Sequence, residues 1–304
     1  MTMNRRDFLA KGLSLGLVLF GTSCGYDTSI ASPAPAIIHP KVNSHADLEE
    51  HMREEESETS AAAQAPQQEQ EPAQAPNPYN YSEAETNQKR ELYNNILEGI
   101  HSRRLELKGK YDKASPEKRR AIIEEARDFV LDSISKEIFP AWYGTTWDFY
   151  GFTNEPGKGM IACGAFVSTV LKHADFNLSR GNYSAQPAEH IIKNLTAAEN
   201  IKRYSNKDVA IVKGDVEKSG KGLYIVGLDC HVGFILNDGK EVRFVHSSYY
   251  KPPFCVVSEA IDSYNPLSNS KYRVVGKILS DEMMQKWLTG EAFPLKFDYF
   301  KGRN

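Results

Sequence analysis

Long apolar runs, an excess of either charge, and paired cysteine or histidine motifs are all missing from this chain. Its 304 residues carry 37 Lys and Arg against 40 Asp and Glu, a net charge of −3. That balance gives no electrostatic footprint for nucleic acid, and none is expected as a partner. The basic clusters "RRLELKGKYDK" and "EKRR" stand among acidic residues and are read as solvated helix faces. There are four cysteines, without Cys-x-x-Cys or His-Glu-x-x-His spacing. Cys230 and His231 are adjacent, so on a strand they would face opposite ways and could not share an ion. No metal or cofactor is expected. No internal repeat is present, and the length suits one globular domain with appendages, or two small domains at most.

The strongest apolar run, residues 13–20, is too short to cross a bilayer. It follows Arg5 and Arg6 in "NRRDFLAKGLSLGLVLFGTSC" and reads as a secretory segment over residues 1–24. The paired arginines resemble a twin-arginine export signal, and "GTSC" resembles a lipoprotein box that would lipidate Cys24. Ordinary cleavage near Cys24 is the alternative. The expected location is the periplasm or cell envelope, with a lipid anchor on the membrane surface. Residues 25–86 are rich in Ala, Gln, Glu and Pro and poor in large apolar side chains. Such a segment cannot bury enough surface to offset its ordering entropy, so it is expected to be a disordered tether.

Helical spacing begins near residue 87. Leu92, Ile96, Ile100 and Leu105 are expected to form one stripe, and Ile122, Ala126, Phe129, Val130 and Ile134 another. Ser115 and Pro116 open the second helix, and Pro140 is expected to end it. Residues 87–138 are therefore assigned to N-terminal helices and residues 139–304 to a catalytic domain. A Gly- and aromatic-rich loop leads to a helix at Cys163 with an apolar stripe of Phe166, Val167, Val170 and Leu171. A further helix is read in "PAEHIIKNLTAAENI", followed by short β-rich runs and a closing helix capped by Ser280. Helices first and antiparallel strands afterwards predict an α+β fold.

Within "HVGFILNDGKEVRFVHSS", Asp238-Gly239 suits a two-residue hairpin turn. Counting outward from that turn puts His231 directly opposite His246, on one face of the sheet. Cys163 falls in the first turn of its helix, where unpaired amides and the helix dipole favour a thiolate. A thiol near a histidine that is itself oriented by a second polar group has the chemistry of a nucleophile and its base. The same free amides could stabilise an oxyanion. Gly164 is expected to keep the space beside the thiol open. Cys230 and Cys255 are expected on separate strands as free thiols.

The elements "WYGTTW", "IACGAFVSTVL", "HVGFILNDG" and "FVHSS" together resemble the NlpC family of papain-like cell-wall cysteine peptidases. The resemblance covers residues 141–248, with Ala162 where the family has aspartate and Gly164 where it has serine. It implies a papain-like fold with N-terminal helices packed on an antiparallel sheet. It also implies Cys163 as nucleophile, His231 as general base and acid, and His246 as its orienter. Tyr143, with Trp142 and Gly164 beside it, would line the substrate side. The activity implied is hydrolysis of peptide or amide bonds, with peptidoglycan stem peptides as leading substrate, by a monomer. Two alternatives stay open: a non-catalytic binding lipoprotein on a degenerate hydrolase scaffold, and a cysteine acyltransferase.

Overall fold

The computed structural model describes residues 83–301, so the export segment, Cys24 and nearly all of the expected tether lie outside the described residues. The first helix, α1 (Glu83–Lys113), begins four residues earlier than expected, within the last residues assigned to the tether. Its buried face is Tyr93, Ile100, Leu107 and Tyr111, while Leu92 and Leu105 are exposed. The expected stripe counted only aliphatic residues. The true one includes two tyrosines and the stem of Arg104, whose Nε bonds Asp175 at 2.5 Å.

Helix α2 (Pro116–Ser133) follows Ser115, which takes the cap position without a side-chain hydrogen bond. Pro140 does not end this helix. A π-helical turn, Ile134–Ile138, intervenes, and Pro140 falls in the first turn of α3 (Phe139–Trp142). The wider π turn and a fresh first turn spare the proline the clash it would meet inside an α-helix. Next come α4 (Cys163–His173), α5 (Arg180–Ser184) and α6 (Ala188–Leu195). All four expected stripe residues of α4, Phe166, Val167, Val170 and Leu171, are fully buried. Side chains of that kind each contribute roughly 1.5–3 kcal/mol on burial.

Six strands make one antiparallel sheet: β1 (Ile201–Ser205), β2 (Gly222–Leu228), β3 (Val232–Asn237), β4 (Val242–Ser247), β5 (Val256–Ala260) and β6 (Tyr272–Lys277). Their spatial order is β1-β6-β2-β3-β4-β5. Helix α7 (Val209–Lys218) and the short α8 (Pro266–Asn269) were not evident from the sequence. The last helix, α9 (Asp281–Thr289), is capped by Ser280, whose side chain accepts from the Met283 amide. The chain is thus α+β, as expected.

Both faces of the sheet are covered. Phe234, Val232 and Val245 join Phe139, Phe166 and the N-terminal helices in one core. Ile235, Phe244 and Val226 join Val212, Val216 and Leu267 in the other. Strand β2 is buried along its whole length for this reason, and reads as a continuous apolar run rather than an alternating one.

The β3–β4 register differs from the expected one. Asn237 pairs with Val242 and Phe234 with Val245, leaving a four-residue connection at residues 238–241. The Asp238 carboxylate accepts from the amides of Lys240 (2.7 Å) and Glu241 (2.8 Å), and Asn237 Oδ1 accepts from Gly239 N. These local bonds outcompete a two-residue turn. The pairing therefore moves by two residues, an even step, which leaves every side chain on its expected face.

Candidate active site

The approach to Cys163 is stitched down at successive residues. Ile161 N donates to Thr146 O (2.9 Å), Ala162 N donates to Gly151 O (2.8 Å), and Ser247 Oγ donates to Ile161 O (2.7 Å). Gly151 is required here, because a Cβ would lie 2.5 Å from Ile161 N. Gly144, at φ 82°, turns the chain so that its amide reaches Val256 O. The long loop between Tyr143 and Cys163 is in this way fastened to β5 and β4.

Cys163 is the first residue of α4 and a free, half-buried thiol. Ala162 occupies the cap position and has no side-chain acceptor to offer. The first amides of the helix are therefore left uncapped, and the backbone of Val232, Gly164 and Cys163 favours the ionised sulfur. Burial pushes the thiol up from its ordinary value, and these amides offset only part of that. A thiol that is neutral at rest replaces the expected low-pKa thiolate.

Gly164 does not open space beside the thiol. A Cβ there would stand 2.7 Å from Ser184 O, so glycine is needed for α5 to pack against α4. Trp142 is likewise unavailable to a ligand: it is fully buried, and its Nε1 donates to Tyr93 Oη (2.8 Å). Tyr143 is half-buried where the chain leaves α3. Cys255 is a free, buried thiol, as expected. Cys230 lies in the exposed β2–β3 connection and not on a buried strand position.

The two histidines do meet. His231 Nε2 and His246 Nδ1 are 2.8 Å apart, with both residues buried. They are not directly opposed, because one further step of the observed ladder puts Gly233 across from His246. A Cβ on Gly233 would lie 2.7 Å from the Phe244 ring and 2.8 Å from His246 Cβ. Glycine at this position therefore lets the His246 ring stack on Phe244, with centroids 4.0 Å apart. His231 precedes β3 and is free of the strand alternation. Its ring reaches His246, while the next residue along, Val232, offers its backbone to the ionised form of Cys163.

Two further residues extend the chain of contacts. His246 Nε2 lies 3.0 Å from Glu259 Oε2, and Glu259 Oε1 lies 2.9 Å from Lys251 Nζ. Although burial pushes the Glu259 carboxyl up, hydrogen bonds from His246 and Lys251 outweigh it and hold the group below its ordinary range. Burial pulls both histidines down, His231 far down with help from His246, and His246 less because Glu259 opposes. Both imidazoles are neutral near pH 7.

These charges fix the tautomers. An ionised Glu259 only accepts, so His246 Nε2 carries its proton and His246 Nδ1 is an acceptor. His231 Nε2 must then be the donor, which leaves the lone pair on His231 Nδ1. That nitrogen is buried and makes no hydrogen bond. Lysine, carboxylate and two imidazoles thus leave one unprotonated, unpartnered nitrogen, His231 Nδ1, next in the chain to Val232. Tyr249 flanks His231 at a ring separation of 5.1 Å, and Trp147 packs on Tyr249 at 5.7 Å.

Sequence reasoning missed Glu259, Lys251 and Ser247. The signal for Glu259 is a carboxylate in an apolar strand, "FCVVSEAI", on the same face as Phe244 and His246. Among the described residues no group of His, Cys, Asp and Glu is arranged to hold a metal ion, and no helix is long and apolar enough to cross a membrane. No protein-family model, curated protein or solved structure matches this chain.

Proposed function

We propose that this protein is a cysteine hydrolase of peptide or amide bonds, built on a papain-like, NlpC-type variant of the α+β fold. The observation that carries the reading is the free lone pair on His231 Nδ1, set by the Lys251–Glu259–His246 chain. A buried nitrogen with no partner costs stability, so it is a position held for a proton that arrives during turnover.

In the proposed reaction, the Cys163 S–H proton passes to His231 Nδ1 as the sulfur attacks the substrate carbonyl carbon. The imidazolium that forms is stabilised through His246 by the Glu259 carboxylate. The tetrahedral oxyanion takes hydrogen bonds from the uncapped amides at the start of α4. His231 then gives the proton to the leaving amine, and water releases the acyl group from Cys163. With the export and lipoprotein features of the N-terminal sequence, the leading substrate is a cell-wall stem peptide and the setting the cell envelope.

The departures from the family motif fit this chemistry. Ala162 leaves the helix amides uncapped, and Gly164 answers to packing against Ser184. The raised thiol is the one feature that favours a non-catalytic binding protein on the same scaffold. Mass analysis of purified sacculi and short peptides separates the two readings. Wild type should release fragments, and Cys163→Ala and His231→Ala should each abolish most of that release. The double variant should lose little more, because the pair acts as a unit. Release that persists in Cys163→Ala, or none from wild type, would sink the hydrolase reading.

A further inference from the structure

A cavity of about 510 Å³ opens between α1, the loop at residues 152–154, the end of α4 and the start of α5. Phe152, Asn154, Lys172, His173, Asp175 and Arg180 line it. Its charge is unbalanced. Arg180 donates from Nε to Thr169 Oγ1 and from Nη2 to Thr153 O, each at 2.6 Å, and both acceptors are neutral. Its guanidinium lies 3.6 Å over the Phe152 ring. Among the described residues neither Arg180 nor Lys172 has a carboxylate within ion-pair distance. The acidic residue of the cavity, Asp175, is already taken by Arg104 Nε (2.5 Å) and His101 Nδ1 (2.9 Å).

Two effects of this imbalance reach the neighbouring groups. Burial, then the charges of Arg180 and Lys172, pull His173 down to about 4, so the ring adds no positive charge near neutrality. Its Nδ1 is paired with Tyr93 Oη at 2.8 Å. Burial pulls Arg180 itself down to about 10, which marks a cation partly stripped of water. A guanidinium has five N–H donors, and among the described residues two are used here. A threonine, a carbonyl and a ring hold the fork in place, so little of its freedom is left to lose on binding.

We infer that this cavity is a binding site for a small anion, a carboxylate or a phosphate, seated on Arg180 with Lys172 at its side. The inference stands apart from the hydrolase reading and does not depend on it. An anion would complete the charge balance that the chain's own carboxylates leave open, through charge-assisted bonds to a planar donor pair.

Calorimetric titration of the full chain with inorganic phosphate and with glutarate tests this, with uncharged glutaramide as control. One or both anions should bind saturably, phosphate alone marking a phosphate site and glutarate alone a carboxylate site, and glutaramide should not. Arg180→Gln should weaken binding about tenfold or more. Because Arg180 also ties Thr153 to Thr169, a second variant guards against a folding defect. Gly181 also lines the cavity, and no atom lies within 4 Å of its Cβ position, so Gly181→Leu fills that space and leaves Arg180 in place. It should weaken binding comparably with an unchanged melting temperature. Failure of both anions to bind, or equal affinity in wild type and both variants, would overturn the site.

Discussion

Replacing Glu259 by glutamine keeps the size and shape of the side chain and inverts the hydrogen-bond chain behind His231, the proposed base. The carboxylate accepts on both sides, from His246 through Oε2 and from Lys251 through Oε1. An amide has only one accepting end. Lys251 offers donors alone, so the amide oxygen turns to Lys251 and the NH₂ group faces His246. His246 Nε2 must then accept, His246 Nδ1 becomes the donor, and His231 Nε2 must accept in turn. The His231 proton moves to Nδ1, where it blocks uptake of the Cys163 proton. Restoring the productive tautomer costs about the value of one hydrogen bond to a charged group, ~1.5–3 kcal/mol. The variant should therefore lose about ten- to hundredfold in kcat/KM with its melting temperature little changed. Nitrogen NMR of the histidines in a Cys163→Ala background should move the His231 proton from Nε2 to Nδ1. Adding Lys251→Met should restore much of the activity, because the glutamine oxygen can then turn back to His246. Full activity in Glu259→Gln, or an unchanged His231 tautomer, would refute the relay.

Gly233→Ala should cost roughly 1–3 kcal/mol and most of the activity, since its methyl would press on Phe244 and His246 from under 3 Å; a variant that melts and works like wild type would show that the His246 ring needs no such room. The far-ultraviolet thiolate absorbance of wild type minus Cys163→Ala should appear only on the alkaline side, because burial pushes Cys163 up; a signal persisting into mildly acidic solution would mean a preformed thiolate–imidazolium pair. Stability should fall as pH drops below the ordinary histidine value of ~6.5, because His173, His231 and His246 have folded-state pKa values below their unfolded ones. The folded state then binds fewer protons than the unfolded one, and each such histidine adds up to about 1.4 kcal/mol per pH unit to the slope. For His173 the loss runs from ~6.5 down to about 4, and His173→Gln should flatten the melting curve across that window.

The elements most legible in the sequence were those whose local and tertiary demands agree. Helix α4 is one: its apolar stripe, the glycine-rich approach and the absence of a capping side chain all point to a buried helix with free amides at Cys163. Helix α9 is another, since Ser280 caps it locally and Met284, Trp287 and Leu288 bury one face. Helix α1 was misread at its stripe because tyrosine and arginine stems cover apolar surface as aliphatic residues do. Helix α7 escaped notice because Val212 and Val216 provide only a short stripe, while Asp208 supplies the cap. Trp142 was misplaced for a different reason. Its motif marks a site, but its indole was already claimed by Tyr93 and the core.

The histidine pair is insensitive to the length of the β3–β4 turn. A turn of four residues in place of two moves the β3–β4 pairing by an even number, so facing is conserved although opposition is not. An odd error would have sent His246 to the opposite core. The partners of that pair could not be reached in the same way. Glu259 meets His246 only after the β4–β5 ladder is set, with Phe244 paired to Glu259 and His246 to Val257. That ladder depends on residues 248–255, an irregular connection with no period to read. Lys251, which fixes the charge on Glu259, lies within the connection itself. The proposed nucleophile and base are thus marked locally, by a helix start and a strand start. The group that decides which nitrogen of His231 is free is marked only by tertiary structure, and it sets the protonation state on which the proposed chemistry turns.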